Sequence, residues 1–320
     1  MKKIGVLTSG GDAPGMNAAV RSVVRAALAK GMQVVGVHHG YAGLINGEVE
    51  EFNERSVSDI IHRGGTILYT ARCPEFKTEE GVDKAVAKCK EFGIEGLVVI
   101  GGDGSFRGAR DLSLKGILCV GVPGTIDNDI SSTDYTIGFD TAMNTAVQMV
   151  DRLRDTTQSH ERCSVVEVMG RHAGHLALQT GVAVGATAIL VPEIDCDINE
   201  VCKKINESRK TGKKHFIIVV AEGFKTGVSD IAKIIEAVTG VESRATILGH
   251  VQRGGSPTVR DRVMASYMGY EAVELLYNDI GNRVVCYKKD EIVDYDIYEA
   301  LNMTKAFDTK GYNIANILSL

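Results

Sequence analysis

Short apolar blocks rich in valine and isoleucine recur along the chain, separated by stretches where apolar positions return every three or four residues. The blocks at 3–8 (KIGVLT), 33–38 (QVVGVH), 96–101 (GLVVIG), 117–122 (ILCVGV), 163–169 (CSVVEVM), 187–191 (TAILV) and 215–221 (HFIIVVA) predict strands buried on both faces, where no alternation is needed. The stretches 15–30, 105–115, 139–155, 197–210 and 228–238 predict helices. In the third of these, Phe139, Met143, Val147, Val150 and Leu153 mark one apolar face. Strands and helices alternating at this spacing predict βαβ units, hence an α/β protein with mainly parallel sheets flanked by helices. Segments 4–20 and 165–182 both run strand, glycine-containing loop, small-residue helix. That echo predicts two similar α/β halves with a cleft between them, dividing near residue 139.

Size and composition narrow the class. A chain of 320 residues suggests two domains of roughly 150 residues each. Net charge is −5, and no basic stripe alternates with aromatics, so nucleic acid is not an expected partner. The N-terminal run MKKIGVLTSGGD is stopped by Gly10, Gly11 and Asp12, too early for a signal segment. No run approaches the roughly 20 apolar residues of a membrane span, so no membrane partner is expected either. Seven cysteines form no C-x-x-C pair, which predicts reduced thiols and a cytoplasmic protein. His172 and His175 lie three apart, close enough to share a helix face, but no acidic partner completes a zinc set and a structural role is expected.

The chemistry sits in loops behind strands. TSGGDAPGMNAAV follows the first strand and opens a helix, where free N–H groups attract phosphate; a tight structural turn accounts for it equally well. VVIGGDGSFRGA repeats the arrangement and adds Asp103, which could meet Mg²⁺ beside nucleotide phosphates or merely cap the next helix. PGTIDNDI then presents Asp127 and Asp129 behind a third strand. Three such loops on one sheet edge would line one crevice, and a carboxylate there could accept an acceptor hydroxyl's proton during phosphoryl transfer. Arg72, Arg162, Arg171, Arg244 and Arg253 supply an opposing basic pole suited to an anionic phosphate. Together they predict a Mg²⁺-dependent kinase acting on a small phosphorylated metabolite.

Across essentially its whole length the chain resembles the bacterial ATP-dependent 6-phosphofructokinases. LTSGGDAPGMNAA, RGGT…ARCPEF, GGDGS, PGTIDNDI, IGFDTA, VVEVMGR, VAEG and LGHVQRGGSPT stand in that family's order. GGDG alone is weak, since NAD kinases and lipid kinases carry something similar; PGTIDND with MGR and GHVQRGG is specific. The resemblance implies two similar three-layer α/β/α domains with the active site in the cleft between them. An ATP-binding domain would take 1–138 plus 251–301, and a fructose-6-phosphate-binding domain 139–250 plus 302–320. The implied reaction moves the γ-phosphoryl group of MgATP to the 1-hydroxyl of fructose 6-phosphate, in glycolysis.

By the same resemblance, Gly11, Tyr41, Arg72, Cys73, Gly102, Asp103, Gly104, Ser105 and Gly108 would meet ATP, with Asp103 on Mg²⁺. Asp127 would be the base, with Thr125, Asp129 and Arg171 as catalytic neighbours. Thr125, Ile126, Asp127, Met169, Gly170, Arg171, Glu222, His250, Val251, Gln252 and Arg253 would hold the sugar phosphate, joined by Arg162 and Arg244 from a neighbouring subunit of a homotetramer. ADP and phosphoenolpyruvate are the implied effectors. Their site would use Arg21, Ser22, Val23, Val24, Arg25, Arg55, Ser58, Asp59, Arg154, Gly185, Thr187, Thr211, Lys213, Lys214 and His215.

Departures from the family are equally specific. Thr187 replaces an expected acidic residue and Thr211 an expected lysine or arginine, so weakened regulation is expected; behind the active site His175 replaces an expected aspartate. Pyrophosphate-dependent relatives carry Asp at the position of Gly104 and Lys at that of Gly124; two glycines leave the nucleotide end open and favour ATP. An NAD- or lipid-kinase-like enzyme leaves five arginines unexplained. A non-catalytic sugar-phosphate sensor should have lost Asp103 or Asp127, and both are present.

Overall fold

The structure, a computed structural model, describes residues 1–319; Leu320, at the end of the second expected domain, lies outside the described residues. The chain forms two compact units. The first holds Met1–Ile126, Ile130–Thr141 and Arg253–Lys305; the second holds Asp127–Asp129, Ala142–Gln252 and the chain from Ala306 on.

The first unit begins β1 (Lys3–Ser9), α1 (Met16–Ala29), β2 (Gln33–Val37), α2 (Gly40–Asn46), β3 (Val49–Phe52), α3 (Glu79–Glu91), β4 (Gly96–Gly101), α4 (Asp103–Leu114) and β5 (Leu118–Pro123). The second takes most of α5 (Phe139–Ser159), then β6 (Cys163–Val168), α6 (His175–Ala183), β7 (Ala188–Leu190), α7 (Ile198–Lys210), β8 (Phe216–Ala221), α8 (Val228–Thr239) and β9 (Ser243–Ile247). The chain returns to the first unit for α9 (Val259–Tyr277), β10 (Arg283–Lys288), β11 (Glu291–Asp296) and α10 (Ile297–Asn302), and closes on α11 (Thr309–Leu318) of the second.

The first sheet runs β11-β10-β5-β4-β1-β2-β3. Its five inner strands are parallel, and the edges β3 and β11 are antiparallel. Leu7, Val35, Val37, Leu97, Val99 and Cys119 pack with Val82, Val86, Phe106 and Leu112 of α3 and α4 on one face. The intervening Ile4, Val6, Val98, Ile100, Val120 and Val122 are buried too, on the face covered by α1 and α9. This double burial explains why those strands read as unbroken apolar runs. The second sheet runs β7-β8-β6-β9, all parallel. One face carries α7 and α8 through Val165, Ile218 and Val220 against Val201, Ile205, Ile231 and Ile235, and α6 packs on β7 and β8 from the other.

Helix starts follow capping chemistry. Thr78, Asp197 and Thr258 accept backbone N–H bonds at the starts of α3, α7 and α9. His175 opens α6 while His172 stays in the preceding turn, so the two do not share a helix face. No helix among the described residues is long and apolar enough to cross a membrane.

Candidate active site

Three loops of the first unit begin at one level. Ser9 pairs with Gly101 and Gly101 with Pro123, so β1, β4 and β5 end side by side. The sheet also reverses its strand order between β1 and β4, where α/β proteins open a crevice at the carboxyl ends of their strands.

In the first loop Arg253 Nη1 donates to the Asp12 carbonyl at 3.1 Å, and its guanidinium lies so close over Gly11 that a side chain there would collide with it. Thr70 Oγ1 donates to the Gly10 carbonyl at 2.7 Å, fixing the segment that carries exposed Arg72 and half-buried Cys73. The neighbouring RGGT turn is held by Asn17 of α1. Its amide donates to the Arg63 and Gly64 carbonyls at 3.1 and 3.2 Å and accepts from Ile67 N at 2.7 Å. Sequence reasoning passed over Asn17, although a lone amide in an apolar helix start signals a buried polar anchor.

The second loop turns directly into α4 after Gly102, so the helix opens on Asp103 and Gly104 with their N–H groups unclaimed by the helix, while Ser105 N donates to the Gly102 carbonyl at 2.9 Å. Asp103 Oδ2 pairs with Arg107 Nε at 2.9 Å one turn on, and stays half exposed. A Cβ on Gly104 would meet nothing within 4 Å. Tyr41 stands behind this loop, its hydroxyl donating to the Ser105 carbonyl at 2.5 Å. Its ring stacks on Phe76 at 4.0 Å, and a Cβ on Gly108 would strike it. Burial pushes the Tyr41 phenol well above its usual range. Tyr41 and Gly108 therefore support the loop from inside.

The third loop leaves β5 through Gly124, Thr125 and Ile126, all buried. Here one expectation needs correction. Gly124 does not border open space; a Cβ there would meet Ile100 and Met16, each at 3.2 Å, so close core packing favours the glycine.

The second unit repeats the plan with different means. Asp127 and Asn128 are buried and Asp129 is exposed. Arg171 follows β6 with its backbone at φ 53°, after Gly170 at φ 138°. Glu222, just past the end of β8, accepts from Gly170 N at 3.2 Å and Arg171 N at 2.5 Å. Gln252 accepts from Met169 N at 3.3 Å. So held, Arg171 places Nε 3.4 Å from Asp127 Oδ2; the guanidinium side is 61% exposed and the carboxylate side 3%. His250 and Val251 are exposed beside Gln252. Burial first, then the charge of Glu222, raises the Glu167 carboxyl on β6.

Arg162 and Arg244 are not brought to that end. Arg162 precedes β6 and Arg244 pairs in register with Ser164 on β9, so both lie near the amino ends of these strands. Both bind Glu242, Arg162 through Nε at 2.6 Å and Arg244 through the other carboxylate oxygen. The Arg162 hydrogen bond is the main reason the Glu242 carboxyl sits below its usual range.

The remaining cationic residues form a separate group in each unit. On α1 of the first, Arg21 has its pKa lowered by burial and then by Arg25, while Val23 and Val24 face the core and Ser22 donates to the Ser266 carbonyl. Arg25 and Arg55 line a depression of about 510 Å³, and Ser58 and Asp59 lie on the following turn. In the second, Lys213, Lys214 and His215 line a depression of about 330 Å³. Burial and Arg154 lower the Lys213 pKa, and Arg154 also donates to the Val184 carbonyl beside Gly185. Thr211 ends α7, its hydroxyl on the Ser208 carbonyl, and Thr187 is 1% exposed.

Comparison with known proteins places the chain in a family. Residues 3–276 match the family described as Phosphofructokinase. Over 319 residues, covering 100% of both chains, the protein is 60% identical to a Clostridium tetani protein named ATP-dependent 6-phosphofructokinase. Identity is 59%, over the same full coverage, to the protein of that name from Clostridium botulinum strain Loch Maree. Phosphofructokinase from Saccharomyces cerevisiae superposes with a TM-score of 0.90 at 35% identity, over 100% of this chain and 48% of that longer one. With the strand-end loops, the Asp127–Arg171 pair and full-length identity in agreement, the chain belongs to the phosphofructokinase family.

Proposed function

We propose that this chain transfers the terminal phosphoryl group of ATP to the 1-hydroxyl of fructose 6-phosphate, giving fructose 1,6-bisphosphate and ADP. The observation that carries this reading is Asp127, a buried carboxylate beside Arg171 on the loop leaving β5, whose neighbours β4 and β1 end in glycine loops at the same level. The loops of the first unit hold the nucleotide. The first N–H groups of α4 and Arg72 would meet its phosphates, and the open space over Gly104 would admit them, with Arg253 left to the sugar phosphate.

The donor set at Asp103 suits a magnesium ion, since one carboxylate among glycines leaves the other positions to phosphate oxygens and water. When bound, Mg²⁺ would neutralise charge on the phosphoryl oxygens. The loops of the second unit hold the sugar phosphate through Arg171, His250 and the backbone of Met169–Gly170. Asp127 accepts the proton of the attacking hydroxyl, and Arg171 compensates charge on the moving group.

Arg162 and Arg244 lie about 20 Å from the Arg171 loop, the length of a six-residue strand. They serve a neighbouring copy of the chain, consistent with a homotetramer. The cationic groups around Arg25 and Lys213 bind ADP and phosphoenolpyruvate, with regulation weakened at Thr187 and Thr211. Seven free thiols suit the reducing cytoplasm.

One coupled assay tests the reading: ATP, Mg²⁺ and fructose 6-phosphate should give fructose 1,6-bisphosphate, and pyrophosphate should not replace ATP. Turnover with pyrophosphate alone would reject it.

A further inference from the structure

Asp261 stands eight residues after Arg253 and is itself in no candidate set, yet it is fully buried and carries a carboxylate. Its Oδ1 accepts from Gly138 N at 2.7 Å and from the Tyr135 hydroxyl. Its Oδ2 accepts from Thr141 N at 2.8 Å and Thr141 Oγ1 at 2.5 Å. These groups surround the start of α5. Gly138 precedes that helix at φ 103° with no side chain to cap it, and a Cβ there would strike Ala13. Asp261 thus caps α5 from the first turn of another helix, α9.

Thr258 locks the pair further, its N–H donating to Thr141 Oγ1 at 3.0 Å and its hydroxyl to Asp140 Oδ2 at 2.6 Å. What Asp261 holds, the catalytic loop leans on. Ile137 N donates to the Pro123 carbonyl at 2.9 Å, Thr125 N to the Ile137 carbonyl at 3.1 Å, and Thr136 Oγ1 to the Thr125 carbonyl at 2.7 Å. Gly15 of the first loop packs on the same point, its Cβ direction meeting Ile137 at 2.7 Å and Asp261 at 3.5 Å. Desolvating a carboxylate costs more than an apolar contact, so stability alone is a poor reason to bury one here.

We propose that Asp261 is a positioning residue for phosphoryl transfer: by clamping 135–141 it fixes the Pro123–Ile126 backbone that carries Asp127 to the reacting hydroxyl. This rests on the functional reading above. Asp261→Asn keeps the volume but not the pattern. Each carboxylate oxygen faces one backbone N–H, so whichever way the amide turns, its NH₂ group opposes a donor that cannot reverse.

A displacement of about 1 Å at a reacting group costs about a hundredfold in rate. Asp261→Asn should therefore lower kcat by about thirtyfold or more, with KM for ATP and fructose 6-phosphate within about threefold of the parent. In an Asp127→Ser background the same substitution should cost nothing further, because the group it positions is gone. A merely structural role would lower activity equally in both backgrounds, and that result, or an unchanged kcat, overturns the proposal. If Asp261→Asn fails to fold, Thr141→Val, which keeps the shape but removes the donor to Asp261 and the acceptor of Thr258 N, is judged by the same non-additivity, with about a fivefold expected loss. A parent enzyme without activity would overturn the functional reading, and this inference with it.

Discussion

On the proposed reading each unit holds an anion at the carboxyl ends of parallel strands, and the two are built for it by opposite means. In the first, the contacts offered are mostly backbone: glycine loops at the ends of β1 and β4 and the opening of α4, with Tyr41 and Asn17 bracing them from behind. In the second, the backbone is itself gripped by side chains, Glu222 on Gly170 and Arg171, Gln252 on Met169, and the group presented is the Arg171 guanidinium. Backbone N–H groups converge on a polyphosphate without discriminating what it is attached to. A held arginine offers a planar fork in one place, which suits a single small phosphorylated substrate. The first unit is therefore sensitive to side chains that are added, and the second to side chains that are lost.

The largest expected effect falls where the chain passes from one unit to the other. Asp127→Ser removes the proposed proton acceptor and leaves Arg171 without its carboxylate partner. Loss of a general base costs ~10²–10⁴-fold in kcat. KM for ATP should stay within about threefold, because the nucleotide contacts are untouched. Steady-state kinetics with either substrate varied checks this, and a variant with more than a third of the parent kcat would remove Asp127 from the mechanism.

A pair of variants with intermediate effects tests the comparison directly. Gly104→Asp puts a carboxylate into open space at the start of α4, where the proposed reading places the phosphates, so KM for ATP should rise about tenfold or more while that for fructose 6-phosphate barely moves. Glu222→Ala does the reverse. It frees the Gly170 and Arg171 N–H groups and releases Arg171 from a backbone conformation that costs about 1–3 kcal/mol to hold. KM for fructose 6-phosphate should then rise about tenfold at unchanged KM for ATP. If either variant moved both constants equally, the division of labour would be wrong.

Much of this was legible in the sequence, and the misses share a cause. Six of the seven inner strands show apolar runs that announced them within a residue or two, because they are covered on both faces. The seventh, β10, was missed, its short buried run framed by Arg283 and Lys288. Of the edges only β7 was read, at 187–191. β3 reads VEEF with both glutamates exposed, and β9 leaves Arg244, Ala245 and Ile247 exposed, so neither shows a buried run. The helix α9 was hidden by a reversed pattern, with exposed Val259, Tyr267 and Tyr270 against a buried Asp261. Asp127 was readable because a turn behind a strand names its own position. Glu222 and Arg171 could be named as ligand residues, but not that one carboxylate holds the other's backbone, since their spacing in sequence says nothing about pairing across β6 and β8. Gly124 shows the same limit: the motif marked the glycine, and only the packing of Ile100 and Met16 gave its reason.

The smallest expected effect concerns pH at the cationic group of the second unit. Burial first, then the charges of Arg154 and Lys213, pull the His215 pKa below its ordinary value. His215 is therefore neutral near neutral pH, and the depression it lines with Lys213 and Lys214 carries less charge than its composition suggests. A bound phosphate or carboxylate would offset the two neighbouring cations and raise the His215 pKa. Binding then takes up a proton, so affinity must rise as pH falls through the range between the free and bound pKa values, and level off on either side. Each unit of pKa difference can contribute at most about tenfold, and partial exposure reduces this to a few-fold. Calorimetric titration of phosphoenolpyruvate between about pH 8 and about pH 6 should show the rise, and His215→Gln should flatten it, since glutamine cannot gain the proton. A slope that survives in His215→Gln would assign the proton to another group. Affinity that falls with acidity would mean that the anion does not bind beside His215 at all.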